Sequence, residues 1–113
     1  MIRFEEHHQE IREMISDFSD EKIAPGAEHL DETQGLPKES IGEIAELEML
    51  GLTIPEEHGG AGLDLLSACL VVEEISRNCG STGAILATHL FEGTAAILRL
   101  ADDAGRERWL PDM

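Results

Sequence analysis

The sequence predicts an all-α domain of five or six helices in a bundle-like arrangement. Apolar residues recur at spacings of three, four and seven along the long segments, the pattern of helices that bury one face. A chain of 113 residues, 42% of them apolar, has enough material for one core. The run ACLVV is the rival candidate for a strand, but no second alternating run exists to pair with it.

The first predicted helix carries one apolar stripe between charged residues. The stripe consists of Phe4, Ile11, Ile15 and Phe18. We expect this helix to fade near Pro25 and Gly26, because proline lacks the helix donor and disfavours helix in the residue before it. The segment AEHLDETQG then predicts one more short turn before Gly35.

The second predicted helix lies within LPKESIGEIAELEMLG. Pro37 suits its first turn, where the missing N–H is tolerated. Gly51 stands where a helix C-terminal glycine is expected. The residues that share its apolar face are Ile41, Ile44, Leu47 and Leu50.

Capping residues divide the second half of the chain into helices. Asp64 is a good N-cap for LLSACLVVEEISRN, which is apolar almost all round and is therefore expected at the centre. Ser81 suits the cap of TGAILATHLFEG, which continues as TAAILRLA. Asp102 suits the cap of a last short helix through Trp109, and Pro111 should end it.

The loop PEEHGGAGLD raises the question of a phosphate site. It lacks the G-x-G-x-x-G order, does not follow a predicted strand and has no P-loop lysine. Glycines also permit a left-handed backbone and a close approach between chain segments. The pattern therefore favours a turn between two helices over a phosphate cradle.

The histidines give little support for a metal site. His7 and His8 stand beside Glu5 and Glu6, but adjacent residues on a helix point about 100° apart. No third ligand lies at helical spacing, so the sequence predicts no metal. His89 interrupts an apolar helix, either as a hydrogen-bonded core histidine or as a polar group at the edge of a ligand pocket.

No catalytic group stands out from the residues alone. The serines, which lack a nucleophile-elbow context, are Ser67, Ser76 and Ser81. Cys69 and Cys79 have no electropositive surroundings and are expected to be reduced core residues. Glu73 and Glu74 have no special claim as acid or base in so acidic a chain.

Charge excludes one class of partner. The chain has 24 acidic and 8 basic residues and a formal net charge of −16, which repels nucleic-acid phosphates. No apolar run approaches the roughly 20 residues of a membrane span. The N-terminus MIRFEEHHQE has no apolar signal core, so we expect a cytoplasmic protein. The scattered acids indicate a halophilic protein, with an ordinary acidic protein as the alternative.

Several segments together resemble the N-terminal domain of the acyl-CoA dehydrogenases. The run LEMLGLTIPEEHGGAGLDLLSACLVVEEISRNCGST is similar to the family's short helix, "P-E-E-x-G-G-x-G" loop and helix with "E-E-I-x-R". RERWLPDM resembles the family's closing charged helix, and FEEHHQEIREMISDFSDEKIAPGAEHLDE resembles its first helix and "I-A-P" exit. The resemblance covers essentially the whole chain, and it too makes the glycine loop a structural corner.

The resemblance implies a flavoenzyme. Such enzymes hold FAD between a β-domain and a C-terminal helical bundle, and they take acyl-CoA as substrate. A glutamate base removes the α-proton while the β-hydride passes to the flavin. An electron-transfer flavoprotein then receives the electrons, and the enzymes are homo-oligomers. A positioned base and hydrogen bonds to the thioester carbonyl supply the acid–base part of that chemistry.

The resemblance also implies pocket residues on one helix. In the family the helix after the "S-T-G" step lines the acyl-chain cavity, which implies Ile85, Leu86 and His89 as substrate-binding residues. Gly83 would leave room for a close approach. Ile85 and Leu86 would form apolar wall, and His89 would lie near the far end of the chain.

The family's catalytic glutamate and most of its flavin contacts lie in domains beyond the counterpart of this segment. We therefore expect the first domain of a longer enzyme, inactive by itself, and assign no catalytic residue here. Two alternatives remain open. One is a standalone helical module that binds a protein or an acyl group, and the other is a sister flavoenzyme such as an acyl-CoA or nitroalkane oxidase.

The charge pattern leads to a prediction about salt. If the protein is halophilic, its free energy of unfolding should rise between low and molar KCl, because salt screens the repulsion among the acids. Chemical denaturation at several KCl concentrations measures this. A fold of unchanged stability across that range would contradict the halophilic interpretation.

Overall fold

The structure, a computed structural model that describes residues 1–113, consists of helices joined by turns and loops and confirms the all-α prediction. The α-helices are α1 (Glu6–Phe18), α2 (Ala24–Thr33), α3 (Lys38–Glu46), α4 (Leu65–Asn78), α5 (Gly80–Ala87), α6 (Ala95–Leu100) and α7 (Asp103–Trp109). π-helical segments at Ser19–Ile23 and Thr88–Thr94 join α1 to α2 and α5 to α6. The chain therefore forms five continuous helical rods, within the predicted number.

The first rod is longer than the sequence predicts. It does not fade at Pro25, which occupies the first turn of α2 directly after the π-helical segment, a position that tolerates proline. The rod ends instead at Gln34, whose φ of 50° is left-handed. The Gly35 N–H then donates to the Leu30 carbonyl at 3.1 Å, as at many helix C-termini.

Three other predicted helix ends also shift by a few residues. α3 begins one residue after Pro37, which is its N-cap, and it is terminated by Glu48 with a φ of 60° rather than by Gly51. α5 begins at Gly80 with Cys79 as N-cap, so Ser81 lies inside the first turn. Backbone conformation decides these ends, because extended backbone at Cys79 already breaks the chain between two helices.

The two predicted aspartate caps are confirmed. The Ser67 backbone N–H donates to Asp64 Oδ1 at 2.8 Å at the start of α4. The Gly105 N–H donates to Asp102 Oδ1 at 2.8 Å at the start of α7. Each carboxylate satisfies a backbone donor that has no partner within its helix.

The core surrounds α4, as its apolar sequence predicts, and Cys79 is buried as expected, but the prediction of a core position was wrong for Cys69, which is exposed on the face of α4 that lines a cavity. Both α1 and α5 pack against this helix. The largest fully buried core side chains near α4 are Ile15, Ile23, Ile44, Leu52, Val71, Ile75, Leu86 and Leu90. No helix combines the length and apolar composition needed to cross a bilayer.

The glycine-rich loop is a tight corner between α3 and α4, as the sequence analysis favoured. Gly59 and Gly62 have left-handed φ values of 89° and 64°. A Cβ at Gly60 would collide with the Ile54 backbone, so only glycine fits there. The Leu63 N–H donates to the Leu52 carbonyl at 2.9 Å, which closes the corner.

A second glycine allows α4 and α5 to pack closely. A Cβ at Gly83 would collide with Ser76 Oγ and lie 2.8 Å from Ser76 Cβ and 2.9 Å from its Cα. Gly83 was expected to leave room for a close approach, and the neighbour that approaches it is helix α4. The backbone of α5 can approach α4 this closely because residue 83 has no side chain.

Gly83→Ala should lower the free energy of unfolding by about 1–3 kcal/mol, because its methyl group would push α5 away from α4. The matched control is Gly42→Ala in α3, where an added Cβ would meet nothing within 4 Å. That change should stabilise the protein by about 0.5–1 kcal/mol through helix propensity. Urea denaturation measures both, and equal effects of the two variants would contradict the packing argument.

Candidate functional site

An apolar cavity of about 410 Å³ lies between the glycine corner, the start of α4 and the rod that contains α6. It is lined by Thr53, Leu63, Leu65, Cys69, Leu90, Phe91, Ala95, Leu98 and Arg99. Seven of these nine residues are apolar, and Arg99 is the only charged one. Such a lining suits an apolar group rather than a polar substrate.

Ile85 lines a second, shallower cavity on the outer side of α5. This cavity has a volume of about 300 Å³, and its other lining residues are Leu36, Pro37, Lys38 and Ile41. The Ile85 side chain is 39% exposed and that of Leu36 is 71% exposed. An apolar surface of this kind next to a cavity is available to a ligand or to another protein segment.

Leu86 and His89 have other surroundings. Leu86 is completely buried within the core. His89 is partly buried, and its Nε2 lies 3.1 Å from the Leu50 carbonyl oxygen, so it is a hydrogen-bonded histidine. Ile85, Leu86 and His89 therefore share one helical rod but do not line a common cavity within this chain. Their role in substrate binding stays a prediction.

The larger cavity was missed, although the predicted helix already continued past Gly93 as TAAILRLA, because the apolar residues on the two sides of that glycine were not grouped into one face. The structure continues through that glycine in a π-helical segment. Phe91, Ala95 and Leu98, at spacings of four and three, therefore come to one face and line the cavity together. This spacing is the sequence signal from which a shared apolar face could have been predicted.

The VVEEISR segment contains a buried ion pair. Glu74 is 5% exposed, and its two carboxylate oxygens each accept a 3.0 Å hydrogen bond, from Arg12 Nε and from Arg77 Nε. Burial alone would raise the pKa of Glu74, but the bonds from the two arginines outweigh it and the pKa is lowered. An ionised carboxylate held in this way is a structural anion rather than a proton acceptor.

Neighbouring polar groups extend this ion pair toward the π-helical segment that follows α1. Arg77 Nη2 donates to Asp20 Oδ1 at 2.9 Å, and Asn78 Nδ2 donates to the same oxygen at 2.8 Å. The hydrogen bond from Asn78, followed by that from Arg77, lowers the pKa of Asp20. Ser19 Oγ donates to the Glu74 carbonyl at 2.8 Å. These contacts join the first rod to the C-terminal half of α4.

The cap of α4 belongs to a cluster of side chains that the sequence did not reveal. Asp64 Oδ2 lies 2.9 Å from His8 Nε2 and 3.6 Å from His7 Nε2. His8 is buried, and its Nδ1 accepts from the Glu5 backbone N–H at 3.0 Å. The hydrogen bond from the Ser67 N–H, and further that from His8, lower the pKa of Asp64 far below its usual range. The third group near the two histidines thus comes from another helix.

Comparison with known families gives one match to the whole domain. The family described as acyl-CoA dehydrogenase, N-terminal domain, matches residues 5–113. The probable acyl-CoA dehydrogenase YngJ of Bacillus subtilis is 47% identical over 75 residues, which are 66% of this chain and 20% of that protein. The mitochondrial short-chain specific acyl-CoA dehydrogenase of Rattus norvegicus is 33% identical over 109 residues, 96% of this chain and 26% of that protein.

A solved structure has the same fold. A chain in the structure of the electron transferring flavoprotein of Acidaminococcus fermentans superimposes with a TM-score of 0.91 and 29% identity. The match covers 98% of the present chain and 29% of the other. The present chain thus spans about a fifth to a quarter of the length of the curated relatives that it matches.

The lowered pKa values of the carboxylates in these contacts lead to a prediction about how the stability of the fold depends on pH. The pKa values of Asp20, Asp64 and Glu74 are lowered in the folded state, so the unfolded chain binds more protons in acid. Their contribution to stability is complete at a pH above their unfolded-state pKa values, which are about 4. It is lost as the pH falls toward their folded-state pKa values. Urea denaturation from pH 7 to pH 3 should show the free energy of unfolding falling below about pH 4.5.

The Glu74→Gln variant separates the contribution of the Glu74 ion pair to stability from the contributions of the other acidic residues. At pH 7 it should lower the free energy of unfolding by about 1.5–3 kcal/mol, the range for hydrogen bonds to charged groups. Its stability should also depend less on pH than that of the wild type. Glu32→Gln, on the exposed surface of α2 and outside the ion pairs, is the control and should behave as wild type. Identical pH curves for the wild type and Glu74→Gln would contradict the role given to this ion pair.

Proposed function

The chain belongs to the acyl-CoA dehydrogenase family, in which it is an N-terminal domain, and from that premise we propose that it forms part of the acyl-chain pocket of a dehydrogenase. The complete reaction would introduce an α,β double bond into an acyl-CoA thioester. Electrons would pass to an electron-transfer flavoprotein. The cytoplasmic location, the homo-oligomeric assembly and the halophilic character stay predictions from the sequence.

The apolar surface beside Ile85 carries this proposal. Ile85 and Leu36 leave apolar side chains exposed, and Pro37 and Ile41 complete the wall beneath them. An acyl chain gains free energy by covering such a surface, about 25 cal/mol for each Å² of apolar area removed from water. We propose that the substrate chain lies along this surface and that another part of the protein covers it.

Leu86 and His89 support the same surface from within the rod. Leu86 is buried behind Ile85 and would fix the position of the helix rather than contact the substrate along its length. The His89 Nε2 hydrogen bond to the Leu50 carbonyl anchors the π-helical segment to the turn after α3. His89 would then border the far end of the acyl chain, where its ring limits the depth of the pocket.

The residues that line the two cavities fit an acyl chain better than a flavin dinucleotide. A pyrophosphate needs several N–H donors or cations, whereas Arg99 and Lys38 are the only charged residues that line these cavities. FAD, when bound, supplies the acceptor for the hydride, and we assign none of its contacts to these residues. The proton-accepting base is likewise not assigned here, because Glu74 is held by two arginines.

The test uses the full protein that contains this domain, with acyl-CoA substrates of graded chain length and an electron acceptor dye. The wild type should form 2-enoyl-CoA. Ile85→Phe should lower kcat/KM for the longer substrates by about tenfold relative to the shorter ones, because the larger ring fills the pocket; such a ratio corresponds to about 1.4 kcal/mol. His89→Ala should shift the preference toward longer chains.

Met14→Phe is the matched control, since Met14 is 46% exposed on α1, away from this surface. It should leave the chain-length profile unchanged. Formation of 2-enoyl-CoA with an unchanged profile in all variants would contradict the pocket but not the reaction. Failure of the wild type to oxidise any acyl-CoA would contradict the proposed function itself and favour a binding module.

A further inference from the structure

We propose that His7, His8 and Asp64 bind a divalent transition-metal ion of the zinc type. The two histidines lie in the first turn of α1, and the aspartate precedes α4. The three ligand atoms all lie within 4.8 Å of one another. Two imidazoles and one carboxylate form a common three-residue set for such an ion, with water as the fourth ligand.

The spacing of the ligand atoms fits a tetrahedral ion. Bonds of about 2.0–2.1 Å at tetrahedral angles place neighbouring ligand atoms about 3.4 Å apart. Asp64 Oδ2 lies 2.9 Å from His8 Nε2 and 3.6 Å from His7 Nε2, on either side of that value. The two histidine nitrogens lie within 4.8 Å of each other, so the half-exposed His7 side chain would have to move toward His8 by up to about 1.4 Å to reach tetrahedral spacing.

The helix cap holds the aspartate in the orientation that a metal ligand needs. Asp64 uses Oδ1 to accept the Ser67 N–H, and it directs Oδ2 toward both histidines. The carboxylate can therefore bind an ion without giving up the cap of α4. Glu5 Oε2 lies 3.6 Å from His7 Nδ1, on the side of the ring away from Asp64. At 3.6 Å this carboxylate is not hydrogen-bonded to the ring, but a closer approach would let it accept the Nδ1 proton, as carboxylates beside metal-binding histidines do.

One hydrogen bond has to change when the metal binds. Without metal, His8 Nδ1 accepts from the Glu5 N–H, which places the ring proton on Nε2. Coordination through Nε2 requires that proton to move to Nδ1 by exchange with solvent, and the Glu5 N–H then loses its acceptor. Glu5 is exposed, so water can take over that bond. The Glu5 amide therefore gives a local signal of binding at this site.

Nitrogen ligands determine which ions should bind. Imidazole suits Zn²⁺, Co²⁺, Ni²⁺ and Cu²⁺, whereas Mg²⁺ and Ca²⁺ prefer sites made of oxygen ligands. The test is calorimetric titration of the metal-free protein with ZnCl₂ at pH 7.5, with MgCl₂ as the comparison, and a parallel CoCl₂ titration followed by absorption. Amide NMR of the metal-free and zinc-loaded protein follows Glu5.

We expect one zinc ion per chain, no comparable binding of Mg²⁺, and a shift of the Glu5 amide signal. His7→Ala should weaken zinc binding by about tenfold or more, because it removes one of three ligands. Asp64→Asn keeps an oxygen for the Ser67 N–H but loses the carboxylate charge, so it should weaken binding similarly while α4 stays capped. Circular dichroism checks that both variants remain folded.

His29→Ala is the matched control, because His29 lies exposed on α2. It should bind zinc as the wild type does. Equal zinc affinity in His7→Ala, or binding only at millimolar metal, would overturn the proposal. A thiolate-to-cobalt charge-transfer band would also overturn it, because Cys69 or Cys79 would then be the ligand.

Discussion

The fold depends on the buried carboxylate of Glu74 and the two arginines that neutralise it. α4 is the helix around which the core is built, and Glu74 is the one charged side chain that it buries. A carboxylate in that position would be costly without partners, since burial removes its hydration. Arg12 from α1 and Arg77 from α4 each donate one hydrogen bond to it. The need to satisfy one anion thus fixes the register of α1 against α4, which apolar side chains alone would leave less strictly defined.

The position of α4 then determines where the next rod lies. The start of α4 is set by Asp64 at the end of the glycine corner, and its far half carries Ser76 against Gly83. Because α5 approaches α4 without an intervening side chain, Leu86 enters the core while Ile85 stays at the surface. The apolar surface proposed for the acyl chain is therefore a consequence of close helix packing on the opposite side of the same rod. A substitution at Gly83 would displace α5 and with it the Ile85 side chain, although residue 83 itself contacts no ligand.

The sequence predicted the features that depend on neighbouring residues along the chain. It did not predict the side-chain contacts between residues that are distant in sequence. The all-α class, the central position of α4, the caps Asp64 and Asp102 and the glycine corner follow from periodicity, capping and backbone freedom. The continuation of the first rod through Pro25 was not predicted, because a π-helical segment has no simple sequence signal. The contacts of Arg12 with Glu74 and of Asp64 with the histidines join residues more than fifty positions apart. A single sequence gives no signal for such pairs.

The ion pairs also explain how so acidic a chain can stay folded. With three acidic residues for each basic one, the arginines neutralise a small part of the surface charge. Arg12 and Arg77 are instead concentrated where they satisfy Glu74, and Arg77 also reaches Asp20. Salt screens exposed charges strongly and a buried pair weakly. Rising salt would thus relieve the repulsion among the surface acids and act less on the buried Glu74 carboxylate, although its half-exposed arginine partners are screened in part. An acidic surface around an ion pair whose carboxylate is buried can therefore gain stability from salt without losing the contact that aligns α1 with α4.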